Sequence, residues 1–172
     1  MTIISKVSKE ATLQYTVTLI DDLLQENKMR VDLFHLYAKK NKENIYSTFI
    51  KMLYLQDVFL TNQVSRIITK LACWSSDLMP DKELKDFIYW IRENLNEKNP
   101  YKDTLCRCLQ MLFRIDYYRL VFYKLDGVTT LVNYLEGTLN STTSKDQMQY
   151  QVTFCLWLLT FNEQIASRIQ NK

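Results

Sequence analysis

Apolar residues recur along this chain at alternating gaps of three and four, the period of an α-helix with one buried side. Leu13, Val17, Ile20 and Leu24 predict a helix from about Ser8 to Glu26, and Val31, Phe34 and Ala38 a second. The polar run 39–44, KKNKEN, reads as a connection, and Phe49 and Leu53 mark a third helix. Thr61 is expected to cap a long helix carrying Val64, Ile67, Ile68 and Leu71, with Pro80 breaking it. Leu84, Ile88, Ile91 and Leu95 follow at helical spacing. Asn99-Pro100 predicts an N-cap and first-turn proline for the helix with Leu105, Cys108, Leu109 and Leu112. Gly127 separates a short helix from the helical run 128–135, and Ser144 to Gln147 has capping-box spacing before the last long helix.

The same offsets, 0, 3, 4 and 7, return in Val64/Ile67/Ile68/Leu71, Leu105/Cys108/Leu109/Leu112 and Val152/Cys155/Leu156/Leu159. A weaker copy is Thr16/Leu19/Ile20/Leu23. The first members lie 48, 41 and 47 residues apart. A period of about 40–47 with two or three helices per unit belongs to armadillo and HEAT solenoids. The expected fold is all-α, an armadillo/HEAT-like α-solenoid of about four units forming one domain over residues 1–172. An irregular helical bundle is the competing arrangement, because any amphipathic helix can show these offsets.

The run 152–161, VTFCLWLLTF, holds eight apolar residues and two threonines. It is too short to span a bilayer, which takes about 20 apolar residues. A helix apolar all round asks for protein on several sides. Val152, Cys155, Leu156 and Leu159 can face the preceding unit. Phe154, Leu158, Phe161 and Ile165 form a different stripe, with Trp157 beside it, and are the candidate protein-binding residues, open to a further unit, another chain or a second copy.

Composition supports helices: two glycines and two prolines in 172 residues are too few for a hairpin-rich sheet. Neither Gly127 nor Gly137 has a glycine partner at phosphate-loop spacing. The net charge of +3 gives no reason to expect a nucleic-acid partner. The opening MTIISKVSKE lacks a signal-peptide apolar block, which with unpaired-looking cysteines predicts a cytosolic chain. Cys73, Cys106, Cys108 and Cys155 fall inside apolar helical patterns and read as small hydrophobes.

No catalytic constellation emerges, and no cofactor or metal site is expected. His35, the single histidine, sits among apolar neighbours in LFHLYA and reads as structural. Asp21 and Asp22 diverge by about 100° on a helix and read as solvating its outer side. Lys39, Lys40 and Lys42 read as a solvated loop. Tyr117, Tyr118, Phe122 and Tyr123, near Arg114 and Arg119, read as core rings rather than a base-stacking platform. Trp74 and Trp90 read as core.

Several segments together resemble one known family. They are QYTVTLIDDLLQEN (14–27), LQDVF (55–59), RIITKLACW (66–74), FIYWI (87–91), CLQMLFRIDYYR (108–119), DGV (126–128) and QMQYQVTFCLWLLTFN (147–162). In order and approximate spacing they resemble the H subunit of the vacuolar-type proton ATPase (V-ATPase). The resemblance covers the middle and later part of that family's N-terminal solenoid, without its first helices or its C-terminal domain. It implies a solenoid with no catalytic residues, regulating the ATP-hydrolysing sector. The implied partners are the E and G subunits of the stator stalk, on the cytosolic face of vacuolar and other endomembranes, with the membrane reached only through the pump. The silencing role tied to the C-terminal domain is not carried over. A stand-alone helical adaptor for another cytosolic protein is the alternative, and self-association through the open end is a further expectation.

Overall fold

The computed structural model describes residues 10–96, 98–139 and 146–170. Among them ten α-helices follow one another and no strand occurs. The chain divides into two compact units, Met1–Glu83 and Leu84–Lys172. The first holds α1 (Glu10–Glu26), α2 (Arg30–Asn41), α3 (Ile45–Met52) and α4 (Val58–Cys73). Helix α5 (Asp81–Asn94) begins at the boundary and lies mostly in the second. That unit continues with α6 (Lys102–Leu112), α7 (Asp116–Lys124), α8 (Gly127–Leu139), α9 (Asp146–Leu159) and α10 (Glu163–Gln170).

In the first unit α1, α2 and α3 all pack against α4. The reason is the sequence of α4: Val64, Ile67, Ile68 and Leu71 are wholly enclosed, with Leu60 and Ala72 extending the same face. Each such side chain contributes about 1.5–3 kcal/mol on burial, so this one helix organises its neighbours. In the second unit α9 packs against α6 and α8, and α8 against α7. Leu105, Cys108, Leu109 and Leu112 of α6 and Val152, Cys155 and Leu159 of α9 supply the seam. Arg92 of α5 donates to the Thr130 hydroxyl at 3.0 Å and to the Leu125 carbonyl, tying α5 to the start of α8.

The fourth copy of the apolar pattern has a different register from the one expected. Leu19 and Leu23 are exposed, while Val17, Asp21 and Leu24 are buried. The core-facing set of α1 is therefore Val17, Ile20, Asp21 and Leu24, one residue later than Thr16/Leu19/Ile20/Leu23. The misleading feature is Asp21, a carboxylate in a position the other copies give to Ile68, Leu109 and Leu156.

Helix ends also depart from expectation, each time through a side-chain hydrogen bond or a backbone turn. Asp57, not Thr61, caps α4, accepting from the Leu60 amide at 3.0 Å. Thr61 lies inside the first turn, its hydroxyl donating to the Val58 carbonyl. Asn44 caps α3 in the same way, accepting from the Tyr46 amide at 2.9 Å. Pro80 does not break α4, which ends at Cys73; it immediately precedes Asp81, the first residue of α5. Asn99 does not cap α6. Its side chain accepts from the Tyr101 amide at 2.9 Å and donates to the Asn94 carbonyl at 3.1 Å, folding the connection so that the helix starts at Lys102. Lys39, Lys40 and Asn41 belong to the last turn of α2, which Lys42 closes in the left-handed region with φ 52°. The Glu43 amide then reaches back to the Ala38 carbonyl, a Schellman-type end.

Gly127 does open the helix expected after it, and the reason is space. A Cβ there would overlap the ring of Phe122, which is buried against Phe113 at a centroid distance of 4.8 Å. Asp126 before it takes φ 59° and accepts from the Thr129 hydroxyl at 2.6 Å. The expected capping box at Ser144 and the start of the first helix at Ser8 lie outside the described residues.

Candidate docking surface

The candidate protein-binding residues sit on α9 and in the turn after it. Trp157 is 52% and Phe161 57% exposed, and Phe154 and Leu158 are half-buried. Ile165 is not part of this surface: it is fully buried. The expected stripe needs one helix running through residue 165, but α9 ends at Leu159. Asn162 starts a new helix, its side chain accepting from the Ile165 amide at 3.1 Å, so Ile165 turns inward on α10.

The exposed member that sequence reasoning omits is Tyr150. Its ring stacks on Phe154 with centroids 6.2 Å apart and planes 9° from parallel. Phe154 lies 5.3 Å from Trp157, and Trp157 meets Phe161 edge-on at 4.7 Å. The four rings occupy positions i, i+4, i+7 and i+11, the spacing that lines one side of a helix, and that spacing is present in the sequence. Aromatic neighbours in such geometries add about 0.5–1.5 kcal/mol per pair. Trp and Tyr are frequent anchors of interfaces.

The opposite side of α9 explains why the row faces outward. Val152, Cys155 and Leu159 are fully buried. The Cys155 thiol points at the Cys106 carbonyl of α6, 3.5 Å away, and Gln110 of α6 donates to the Gln151 carbonyl at 3.4 Å. A thiol–thiol hydrogen bond with Cys106, then burial, push the Cys155 pKa far up, so it stays protonated. The end of the row is anchored by Asn162, whose amide donates to both carboxylate oxygens of Asp116 at 2.9 and 3.0 Å. Asn162 and then Arg119 hold the Asp116 carboxyl below its ordinary value despite some desolvation.

The remaining candidates resolve into packing. His35 Nε2 is 3.2 Å from the Leu71 carbonyl, which also accepts from the Tyr46 hydroxyl, so the imidazole is satisfied inside the first unit. Asp21 is not on a solvated outer side: it is 1% exposed and pairs with Lys70 at 2.7 Å and Arg66 at 2.6 Å, both on α4. Asp22, its neighbour, is exposed as expected. Trp90 is buried beside Phe87, and Trp74 is half-buried with the Lys28 and Lys70 ammonium groups 5.4 and 5.7 Å from its ring centre. Tyr118 and Phe122 are core rings, while Tyr117 and Tyr123 are half-buried. Among the described residues no group of three His, Cys, Asp or Glu side chains is placed to hold a metal ion, and no helix is long and apolar enough to cross a membrane. A second exposed apolar face, which the sequence reasoning does not identify, runs along α2 through Met29, Leu33, Leu36 and Tyr37.

These features define an all-α protein of the helical-repeat, armadillo/HEAT-like solenoid class. In fold it is similar to two crystal structures of engineered proteins. One has a TM-score of 0.64 at 14% identity, covering 90% of this chain and 58% of that one. The other has 0.63 at 13%, covering 91% and 36%. The chain belongs to the V-ATPase H-subunit family, whose profile matches residues 1–172. It is 42% identical over 170 residues to the H subunit of the V-type proton ATPase of Drosophila melanogaster, covering 98% of this chain and 35% of the relative. It is likewise 42% identical over 168 residues to a Caenorhabditis elegans relative, the second of that organism's probable V-type proton ATPase H subunits, covering 96% and 35%. The chain thus spans about a third of the length of these curated relatives. The family is that of an accessory subunit, as distinct from the catalytic subunits of the pump.

Proposed function

We propose that this chain acts as a non-catalytic regulatory or scaffold subunit of the V-type proton ATPase, binding the peripheral stalk of its soluble sector through the E and G subunits. In this reading it supports ATP-driven proton transport from the cytosolic face of endomembranes, as a single repeat domain. The observation that carries the reading is the family match along the entire chain, residues 1–172. The mechanism is positional: helices packed on α4 and α9 present fixed side chains, and binding biases how the motor assembles or couples. The aromatic row on α9 is the docking surface, because its rings are pre-arranged and Trp157 and Phe161 stand in water.

Affinity purification of the tagged chain from cell extract, beside a tagged full-length relative, tests this. E and G subunits are expected with both, and Trp157→Lys with Phe161→Lys should lose them while helical content is kept. Recovery of E and G by the full-length relative but not by this chain overturns the stalk assignment. Recovery of other cytosolic proteins in their place identifies a stand-alone adaptor. For the row itself, Leu158→Lys or Phe161→Lys should lower any self-association seen by light scattering. A parent chain that is monomeric and binds no apolar dye overturns its role as an open docking surface.

A further inference from the structure

Charge reaches the aromatic row of α9 chiefly from α6. From Gln147 to Asn162 the chain carries no charged residue. Helix α6 lies against α9 and runs in the same direction. The Cys155 thiol meets the Cys106 carbonyl, and Asn162 meets Asp116 just past the end of α6, so residues 49 and 46 apart stand level. The Gln110 side chain leans back toward the start of its own helix to reach the Gln151 carbonyl, which points forward.

Successive residues of a helix point about 100° apart. Between parallel helices, the residue after a contact on one and the residue before it on the other therefore point to the same side. Arg107 follows Cys106, and Phe154 precedes Cys155. Arg114 and Phe161, each two turns further on, repeat the arrangement. Both arginines are exposed, and neither forms an ion pair with a described residue. Their Cα atoms are about 10 Å apart along the helix. Three carboxylates lie near. Asp103 is half-buried, four residues before Arg107. Asp116 is engaged by Asn162 and Arg119. Glu163 is exposed at the start of α10, past the last ring. On the edge of the row away from α6, Thr153 and Thr160 are exposed and uncharged. The row thus has one edge with two free guanidinium groups and one neutral edge.

We propose that the aromatic row receives an amphipathic helix of another protein, with large apolar side chains along its seam and two carboxylates, seven residues apart on one edge, paired with Arg107 and Arg114. Guanidinium groups take carboxylates through two parallel hydrogen bonds. A helix fits because the rings form a ridge about 16 Å long at helical spacing. An extended peptide would add to a sheet edge, and the described residues contain no strand. An anionic lipid surface fits less well: interfacial helices carry Lys and Arg along their own polar face, and α9 has neither from Gln147 to Leu159. The proposal rests on the reading of the row as a docking surface, but it does not require the partner to be a stalk subunit.

Fluorescence anisotropy with three labelled 18-residue helical peptides tests it. All carry the same leucine seam. The first has glutamates at i and i+7 on one edge, the second has lysines there, and the third has the two glutamates on the face opposite the seam. At low salt the first is expected to bind about tenfold more tightly than the second and about threefold more tightly than the third. Both gaps should narrow as salt shortens the Debye length. Arg107→Glu with Arg114→Glu should reverse the preference between the first two, with the fold intact by circular dichroism because both residues are exposed. Trp157→Ala with Phe161→Ala should abolish binding of all three. Equal affinity for the three peptides, still lost in the alanine variant, overturns the acidic edge and leaves the row a docking surface. Binding indifferent to the alanine pair overturns both. Tighter sedimentation with vesicles containing phosphatidylserine than binding of the first peptide overturns the helical partner, and so does a parent dimer that the alanine pair dissolves.

Discussion

The two units build the same kind of helix pair with opposite chemistry. In the first, α1 lies on α4 and the contact is closed by Asp21 with Lys70 and Arg66. In the second, α6 lies on α9 and the contact is closed by Cys106 and Cys155 among aliphatic neighbours. Each contact joins residues 49 apart in the chain. A seam of thiols and aliphatic groups is held by area, which changes little when helices slide by a fraction of an ångström. An ion pair at 2.7 Å does not tolerate such sliding, and a buried pair is weak evidence of net stability, so a role in setting register is what variants of Lys70 test. The pairing is complete: the Lys70 ammonium also donates to the Asp21 carbonyl at 3.0 Å, and its side chain lies beside Trp74.

The comparison is most open to attack at Lys70. Lys70→Ala leaves the Asp21 carboxylate buried with only Arg66, and urea unfolding should show a loss of about 3–5 kcal/mol. Replacing both Asp21 and Lys70 by leucine should recover most of that loss, to within about 1–2 kcal/mol of the parent, if the charges act on register. A double variant as unstable as Lys70→Ala would mean the pair is the main source of stability.

In the second unit the corresponding weak point is steric. Gly127→Ala drives a methyl group into the Phe122 ring and should cost about 1–3 kcal/mol, read as a lower melting temperature. A smaller loss, about 1 kcal/mol, is expected for Asn162→Ala, which removes the cap of α10. That loss should depend on pH. Asp116 has a folded pKa below 3.8 because Asn162 and Arg119 donate to it, so its contribution is full above the unfolded value and disappears as pH falls through the lowered one. Melting curves of parent and Asn162→Ala should therefore draw closer in acid, with the part due to the lost cap remaining. The smallest effect is a gain. Gly137 lies within α8, and a Cβ there meets nothing within 4 Å, so Gly137→Ala should stabilise by about 0.5–1 kcal/mol.

Helix positions in α4, α6 and α9 are legible in the sequence because an apolar set at offsets 0, 3, 4 and 7 recurs in each, even though α4 also buries Thr61, Asn62, Ser65, Thr69 and Lys70. The register of α1 is not, because a buried aspartate and a solvating one look alike until the partner is placed, and Lys70 lies 49 residues away. Helix starts mislead where side-chain acceptors compete: Asp57 and Thr61 are both plausible caps, and only the backbone decides between them. The aromatic row is partly legible. Periodicity gives Phe154, Trp157 and Phe161, but it also carries the stripe through Asn162, a residue whose side chain begins a new helix. The exposed stripe of α2 is hidden because Leu33, Leu36 and Tyr37 sit close to lysines in a segment that reads as leading into a loop.

The half-exposed indole of Trp157 gives this molecule an optical reporter of its own. Trp90 is enclosed and Trp74 is screened by two ammonium groups, so Trp157 is the indole with the greatest change of surroundings in prospect. Anything that settles over the aromatic row would dry that ring, moving its emission to shorter wavelength and sheltering it from iodide, without a label being attached.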